Sequence, residues 1–196
     1  MTQAFQTTAV TGRPLEECTM QRSLRPSALM FTQVISLTAL PVAASSVFAH
    51  DDIEARMKSY KEVPAVSSTA TGRFKASVDD KAGTIGYELS YRGLQGDVRM
   101  AHIHLGQRGV NGGIMVWLCQ TTANPDPTNL SPTCPQSGTV SGLVQAANVV
   151  GPAGQGVEPL EFAELVAAIR AGVAYVNVHS SKFPAGELRG QLQDGD

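Results

Sequence analysis

Short segments in which apolar and polar residues alternate dominate the chain after about residue 70. Two of them, 74–78 and 85–91, flank the sequence DDKAG, which is typical of a turn. Because alternating side chains lie on opposite faces of a strand, this pattern predicts a β-hairpin. Further strands are predicted at 98–105, 114–119, 137–144, 173–178 and 186–193.

One segment has helical spacing instead. Apolar residues recur three and four positions apart between Phe162 and Ile169, Pro159 suits a first helical position, and Gly172 suits the residue after the end. Many short strands, 19 glycines and one short helix predict an all-β domain. We expect an antiparallel Greek-key β-sandwich.

The first 49 residues differ in character from the rest. Arg22 and Arg25 are followed by a mostly apolar, uncharged stretch, 28–42, and then by small residues that end at Ala49. This order predicts a secretory signal peptide that is cleaved near Ala49, and therefore a periplasmic or secreted protein. A membrane anchor is the alternative, but the apolar stretch is short for a span and contains Thr, Gln, Ser and Pro.

These boundaries assign residues 1–49 to the signal, 50–56 to a short N-terminal extension and 57–194 to the domain. Met20 would make a more ordinary signal start, so residues 1–19 are alternatively an extension from a mis-assigned start. No later apolar run approaches the length of a membrane span, so no span is expected after cleavage.

The cysteines agree with export. Cys18 lies in the part that is removed, whereas Cys119 and Cys134 remain as an even pair, so we expect a disulfide in an oxidising compartment. Two free thiols or a metal site are the alternative, but the chain has no C-x-x-C motif.

Charge and motifs exclude several functions. The 15 basic and 17 acidic residues are spread along the chain without a basic stripe, which argues against nucleic-acid binding. No G-x-S-x-G motif indicates a hydrolase. The sequence GQRGVNGG at 106–113 lacks the Lys-Ser/Thr ending of a phosphate loop, so its glycines are interpreted as turn residues.

Three histidines form the candidate site. His102 and His104 are two residues apart, so both imidazoles leave the same face of a strand, and His179 lies at the end of another strand. Imidazole ligands suit zinc and copper. Met100 shares the histidine face and offers a soft sulfur atom, which would favour copper.

The histidine side of both strands is the more polar side, so we expect the site to face a solvated surface or a shallow cleft. The alternative is that the histidines only hydrogen-bond to neighbours such as Asn177 or Glu187. Glu187 and Arg189 share a face of the last strand, where a cross-strand contact is expected rather than catalysis. Cleavage after Ala49 would make His50 the N-terminal residue and a further candidate ligand.

Four motifs resemble those of a known family. They are YKEVPAV at 60–66, AHIHLG at 101–106, YVNVH at 175–179 and GELRGQL at 186–192, which occur in the order found in the CHRD domain. That module is described as a repeat in the animal protein chordin and occurs singly in secreted bacterial proteins. The resemblance covers about 57–193 and implies an extracellular β-rich module whose histidine motifs are matched by His102, His104 and His179.

A weaker likeness is to copper–zinc superoxide dismutase, a β-sandwich with a His-x-His strand, although this chain lacks a loop rich in His and Asp. An immunoglobulin- or dismutase-like architecture is therefore expected. The leading hypothesis is a non-catalytic binding module whose partner is a copper or zinc ion or an extracellular protein. The alternatives are a copper-dependent redox enzyme of dismutase type, with Arg99, Arg108 or Arg189 as a steering charge, and a structural or adhesive module.

Overall fold

The computed structural model describes residues 51–195, which form an antiparallel all-β fold with one α-helix. The predicted signal peptide, Cys18, Met20 and His50 lie outside these residues. The strands are β1 Asp51–Lys58, β2 Thr71–Asp79, β3 Thr84–Arg92, β4 Val98–Leu105, β5 Ile114–Cys119, β6 Gly138–Val144, β7 Ala174–Ser180, β8 Leu188–Gln191 and β9 Gln193–Asp194, and the helix is α1 Phe162–Arg170.

Every strand predicted from the alternation is present. The predicted hairpin is β2–β3, whose ladder runs to the Asp79–Thr84 pair that closes the turn. Strand β1 was not predicted, yet it alternates in the same way, with Ile53, Ala55 and Met57 buried. Its charged intervening residues and its single β-branched apolar residue gave a weak strand signal.

The predicted Greek-key sandwich is not confirmed, because the strands form one continuous sheet. Their order is β5-β4-β7-β8-β1-β2-β3-β6, with β9 paired to β1. Strand β1 joins the two halves, since it pairs with β2 along its whole length and with β8 through Lys58 and Arg189. Many short strands with regular turns are typical of a sandwich, but the pairing of β1 with both of its neighbours joins them into one sheet instead.

The sheet is nearly closed into a barrel. Its end strands β5 and β6 contact each other, and the Tyr87 hydroxyl on β3 donates a 2.5 Å hydrogen bond to the Leu118 carbonyl on β5. The interior is filled by apolar side chains that point inward from each strand, including Phe74, Leu89 and Ile103, all at most 1% exposed. Such a core leaves room for chemistry only on the outside of the barrel.

Helix α1 begins at Phe162, three residues after the predicted start at Pro159. It buries Leu165, Val166 and Ile169, the face that the spacing indicated. Gly172 follows the end with a φ of 68°, a left-handed conformation that glycine adopts without steric cost. Within residues 51–195 no helix is long and apolar enough to cross a bilayer.

The predicted disulfide between Cys119 and Cys134 is formed. The polar loop that it closes is organised by Asp126, which is 4% exposed and accepts hydrogen bonds from the backbone of Thr128, Leu130 and Ser131. Burial would raise the pKa of Asp126, but these hydrogen bonds outweigh it and lower that pKa. A loop without an apolar core is therefore held by one carboxylate and one covalent link.

Strands β4, β7 and β8 are buried on both faces. Their inward face carries apolar residues such as Ile103, Val176 and Leu188, and their outward face is polar. The outward face is buried because three connecting segments, 59–70, 106–113 and 181–187, lie over it and hydrogen-bond to its side chains. The polar outer layer consists of His102, His104, Tyr175, Asn177, His179, Arg189 and Gln191.

Candidate metal centre

Neighbouring strands β4 and β7 position the three histidines. In their antiparallel ladder Met100 lies opposite His179, and His102 lies opposite Asn177. Because residues two apart share a face, His102 and His104 project beside the His179 ring on the outer side of the barrel. The spacing therefore predicted correctly that these three residues come together.

The imidazole nitrogens lie close enough to share an ion. His102 Nδ1 is 3.2 Å from His179 Nε2, and one nitrogen of each histidine falls within 4.8 Å of the other two. Nitrogens that bind one metal tetrahedrally at about 2.0–2.1 Å are about 3.3 Å apart. The closest pair already has this separation, and a nitrogen of His104 lies within 4.8 Å of both.

The expectation of a solvated surface or shallow cleft is wrong. His102 is fully buried, and His104 and His179 are 8% and 6% exposed. The prediction rested on the polarity of the strands, but that polar face is covered by segment 59–70 and by the two connections that follow β4 and β7 and fold back over them. The centre therefore lies in a dry environment between the sheet and its covering segments.

Backbone carbonyls fix the tautomer of two rings. His104 Nδ1 is 2.9 Å from the Gly112 carbonyl, and His179 Nδ1 is 2.9 Å from the Pro184 carbonyl. A carbonyl only accepts, so each Nδ1 carries the proton and each Nε2 keeps its lone pair. A hydrogen bond from the second ring nitrogen is the usual support of a metal-bound histidine.

Two of the remaining nitrogens lack a partner. Nε2 of His102 and Nε2 of His104 are buried, and no donor or acceptor within residues 51–195 reaches either atom. An unsatisfied polar atom in a dry site costs about 1–3 kcal/mol. A metal ion that accepts the lone pair of His104 Nε2 would remove the cost for that atom, so the donor set suits a cation.

Burial keeps the three rings neutral. It lowers the pKa of His102 to about 2, with a further lowering by His179 and His104. Burial likewise lowers the pKa of His104 to about 4 and that of His179 below its usual value, despite the opposing carbonyl hydrogen bonds. Neutral imidazole is the form that binds metal, so the rings need not first lose a positive charge. The proton with which His102 Nδ1 donates to His179 Nε2 must move before that nitrogen binds an ion.

Aromatic rings that the sequence analysis did not single out surround the centre. The Trp117 ring contacts the His102 ring edge-on, with centroids 4.2 Å apart. The Tyr175 ring stacks on the His104 ring, with centroids 4.8 Å apart. The Arg189 guanidinium also lies over the Tyr175 ring, 3.4 Å from its centroid. Tyr175 shares the histidine face of β7, and that parity was the available signal.

The proposed supporting residues hold the connecting segments in place and do not contact the histidines by hydrogen bonds. Asn177 Nδ2 donates to Glu62, and Glu187 accepts from Ser68 and from the Gln95 backbone. Neither Asn177 nor Glu187 hydrogen-bonds to a histidine, and within residues 51–195 Arg189 forms no ion pair with Glu187.

Comparison with known proteins agrees with the motifs. The sequence model of the CHRD domain matches residues 53–192. The chain belongs to the CHRD domain family. Its three-histidine centre, both strands that carry it and all three covering segments fall inside the matched range.

No curated protein and no solved structure matches the chain. The chemistry of this CHRD domain is therefore argued from its own residues.

Gly112 should be irreplaceable in the loop that supports His104. A Cβ at this position would overlap the Leu105 carbonyl, a backbone group that cannot move away. We predict that Gly112→Ala lowers the free energy of unfolding by more than about 2 kcal/mol. Gly109→Ala is the matched control in the same loop: its φ of 76° is left-handed but nothing lies near the added carbon, so a loss of about 1 kcal/mol is expected.

Urea unfolding measures both variants, and ¹⁵N shifts of the His104 ring report the loss of the Nδ1–H tautomer. Equal stability of the two variants, with an unchanged His104 tautomer, would show that the Gly112 carbonyl is not the support described here.

Glu62 should make stability depend on pH. Burial raises its pKa to about 7, against the lowering effects of Arg189 and of hydrogen bonds from Val63 and Asn177. Because the folded pKa exceeds the ordinary value of 4.5, stability is highest below pH 4.5 and falls as pH rises through 7. Glu62→Gln should abolish this fall and gain on the order of 3 kcal/mol over the wild type at pH 8.

Urea unfolding at pH 4 and pH 8 tests the prediction. At pH 4 both side chains are neutral, so the two proteins should be equally stable there. A stability difference that is the same at both pH values would contradict the account.

Proposed function

We propose that this CHRD domain is an exported, non-catalytic binding module that holds one copper or zinc ion between His102, His104 and His179. The observation that carries the proposal is the cluster of three buried imidazoles with one nitrogen of each within 4.8 Å of the others, in which His104 Nε2 has no partner among residues 51–195 and Pro184 fixes the lone pair on His179 Nε2. Three neutral imidazoles in a dry site are a donor set for either metal.

Burial favours holding the ion over reacting with a substrate. The three histidines are at most 8% exposed, and the covering segments are tied to the strands by hydrogen bonds to buried side chains. A redox enzyme of dismutase type needs an open coordination position that a small substrate reaches. The sealed centre instead suits an ion that stabilises the fold or presents a fixed surface to an extracellular partner.

The sulfur atom of Met100 offers a way to distinguish copper from zinc. Met100 lies opposite His179 in the β4–β7 ladder and is partly exposed. A thioether sulfur would raise the affinity for copper, above all Cu(I), and leave zinc binding unchanged. We propose Met100 as a secondary copper ligand, to be tested by Met100→Leu.

Export is supported by two observations. The Cys119–Cys134 disulfide is typical of proteins in oxidising compartments, and the pattern of residues 1–49 is that of a signal peptide. We therefore propose a periplasmic or secreted location. His50, which would then begin the mature chain, is a further proposed ligand outside the three-histidine centre.

Titration of the chelator-treated protein with Zn²⁺ and Cu²⁺ tests the metal site. We expect one ion at the three-histidine centre of each chain by calorimetry, apart from any bound by His50, and a stabilisation of about 2.7 kcal/mol when free metal exceeds Kd a hundredfold. Cu²⁺ should also quench the fluorescence of Trp117, the single tryptophan of the chain, because its ring contacts His102.

Three alanine variants and one control locate the site. His102→Ala, His104→Ala and His179→Ala should each abolish the metal-induced stabilisation, whereas His50→Ala, at the fourth histidine, should retain it. Absence of binding below millimolar metal would leave the structural or adhesive alternative. Turnover of superoxide by the copper-loaded protein would favour the redox alternative.

A further inference from the structure

Arg189 is a buried cation without a carboxylate partner. It is 2% exposed, and its guanidinium donates to the carbonyls of Gln107 and Val110 and to the Asn111 side chain. Within residues 51–195 it forms no ion pair. Buried charges are ordinarily paired, because neutral acceptors do not balance the charge.

Glu62 does not supply that balance. It is close enough for Arg189 to lower its pKa, but burial outweighs this effect and leaves the carboxyl group only partly ionised at neutral pH. Its own hydrogen bond is to Asn177. A positive charge in the outer layer therefore remains uncompensated.

Two further cationic residues, Lys61 and Arg108, lie beside Arg189. A cavity of about 190 Å³ opens there, and no carboxylate lines it. The Lys61 ammonium donates to the Arg56 carbonyl, and burial together with the repulsion of Arg108 and Lys58 lowers the Lys61 pKa. The residues that line the cavity are Lys61, Arg108, Gly109, Arg189 and Gln191.

The cavity has the charge and size for a small anion. Three cationic side chains line it. The terminal nitrogens of Arg189 already donate to protein acceptors, so Arg189 contributes mainly its charge, whereas the exposed Arg108 can bind carboxylate or phosphate oxygens through paired hydrogen bonds. Sites for drug-sized ligands and cofactors measure about 300–1,000 Å³, so this cavity is too small for a nucleotide. A single phosphate or carboxylate group matches both limits.

We propose that the cavity lined by Lys61, Arg108 and Arg189 binds a small oxyanion, either inorganic phosphate or the carboxylate of a small acid. Its oxygens would complete the charge balance of Arg189 and bridge the covering segments 59–70 and 106–113. The site is distinct from the metal centre, from which the Tyr175 ring separates it: Arg189 lies on that ring at 3.4 Å, and His104 stacks on it at 4.8 Å.

Calorimetric titration of the metal-free full chain with phosphate, and separately with acetate, tests the proposal at low ionic strength. We expect saturable 1:1 binding of at least one of the two anions. If the cavity prefers a carboxylate, acetate should displace bound phosphate. Lys61→Gln/Arg108→Gln should weaken binding at least tenfold while folding normally, because both side chains are at the exposed rim.

The matched control is Lys81→Gln/Arg92→Gln, which removes two exposed positive charges elsewhere. It should bind phosphate as the wild type does. The proposal is overturned if neither anion gives a saturable signal, or if the control double variant loses as much affinity as the rim variant, since binding would then follow net charge alone.

Discussion

The hydrogen bonds from His104 to the Gly112 carbonyl and from His179 to the Pro184 carbonyl determine what the centre offers. Each bond holds a proton on Nδ1, so each ring presents an Nε2 lone pair toward its neighbours. Both carbonyls belong to covering segments rather than to the barrel. The Nε2 lone pairs are therefore held in place only when segments 106–113 and 181–187 lie over the strands. The folding of these two segments and the metal-binding capacity of β4 and β7 depend on each other.

Covering the outer face has a cost that the polar layer must offset. Polar groups on β4, β7 and β8 lose water, and most regain partners from the covering segments: Asn177 from Glu62, His179 from Pro184, and Arg189 from 106–113. The groups that remain unsatisfied are informative. In the described part of the chain, two imidazole nitrogens lack a partner, as do Ser59 Oγ and Asn177 Oδ1, and one guanidinium lacks a countercharge. The nitrogens and the guanidinium are the basis for proposing a cation on one side of Tyr175 and an anion on the other.

The sequence predicted the parts that depend on local period. Alternation placed the strands, and the i, i+2 spacing of His102 and His104 correctly put both rings on the face of His179. Burial could not be predicted in this way, because it comes from connecting segments without a periodic pattern that fold over the strands. The same holds for Glu62 and Gly112, whose roles depend on contacts with residues 115 and 8 positions away, respectively.

The architecture was misjudged for a related reason. Strand β1 has a weak signal of its own but pairs along its full length, and its contact with β8 turns two groups of strands into one nearly closed sheet.

A direct test of the central claim is the crystal structure of metal-soaked protein, with anomalous diffraction at the copper and zinc edges. The account predicts one ion bound by Nε2 of His104, Nε2 of His179 and a nitrogen of His102. Strong anomalous density elsewhere, with none between these three rings, would contradict it.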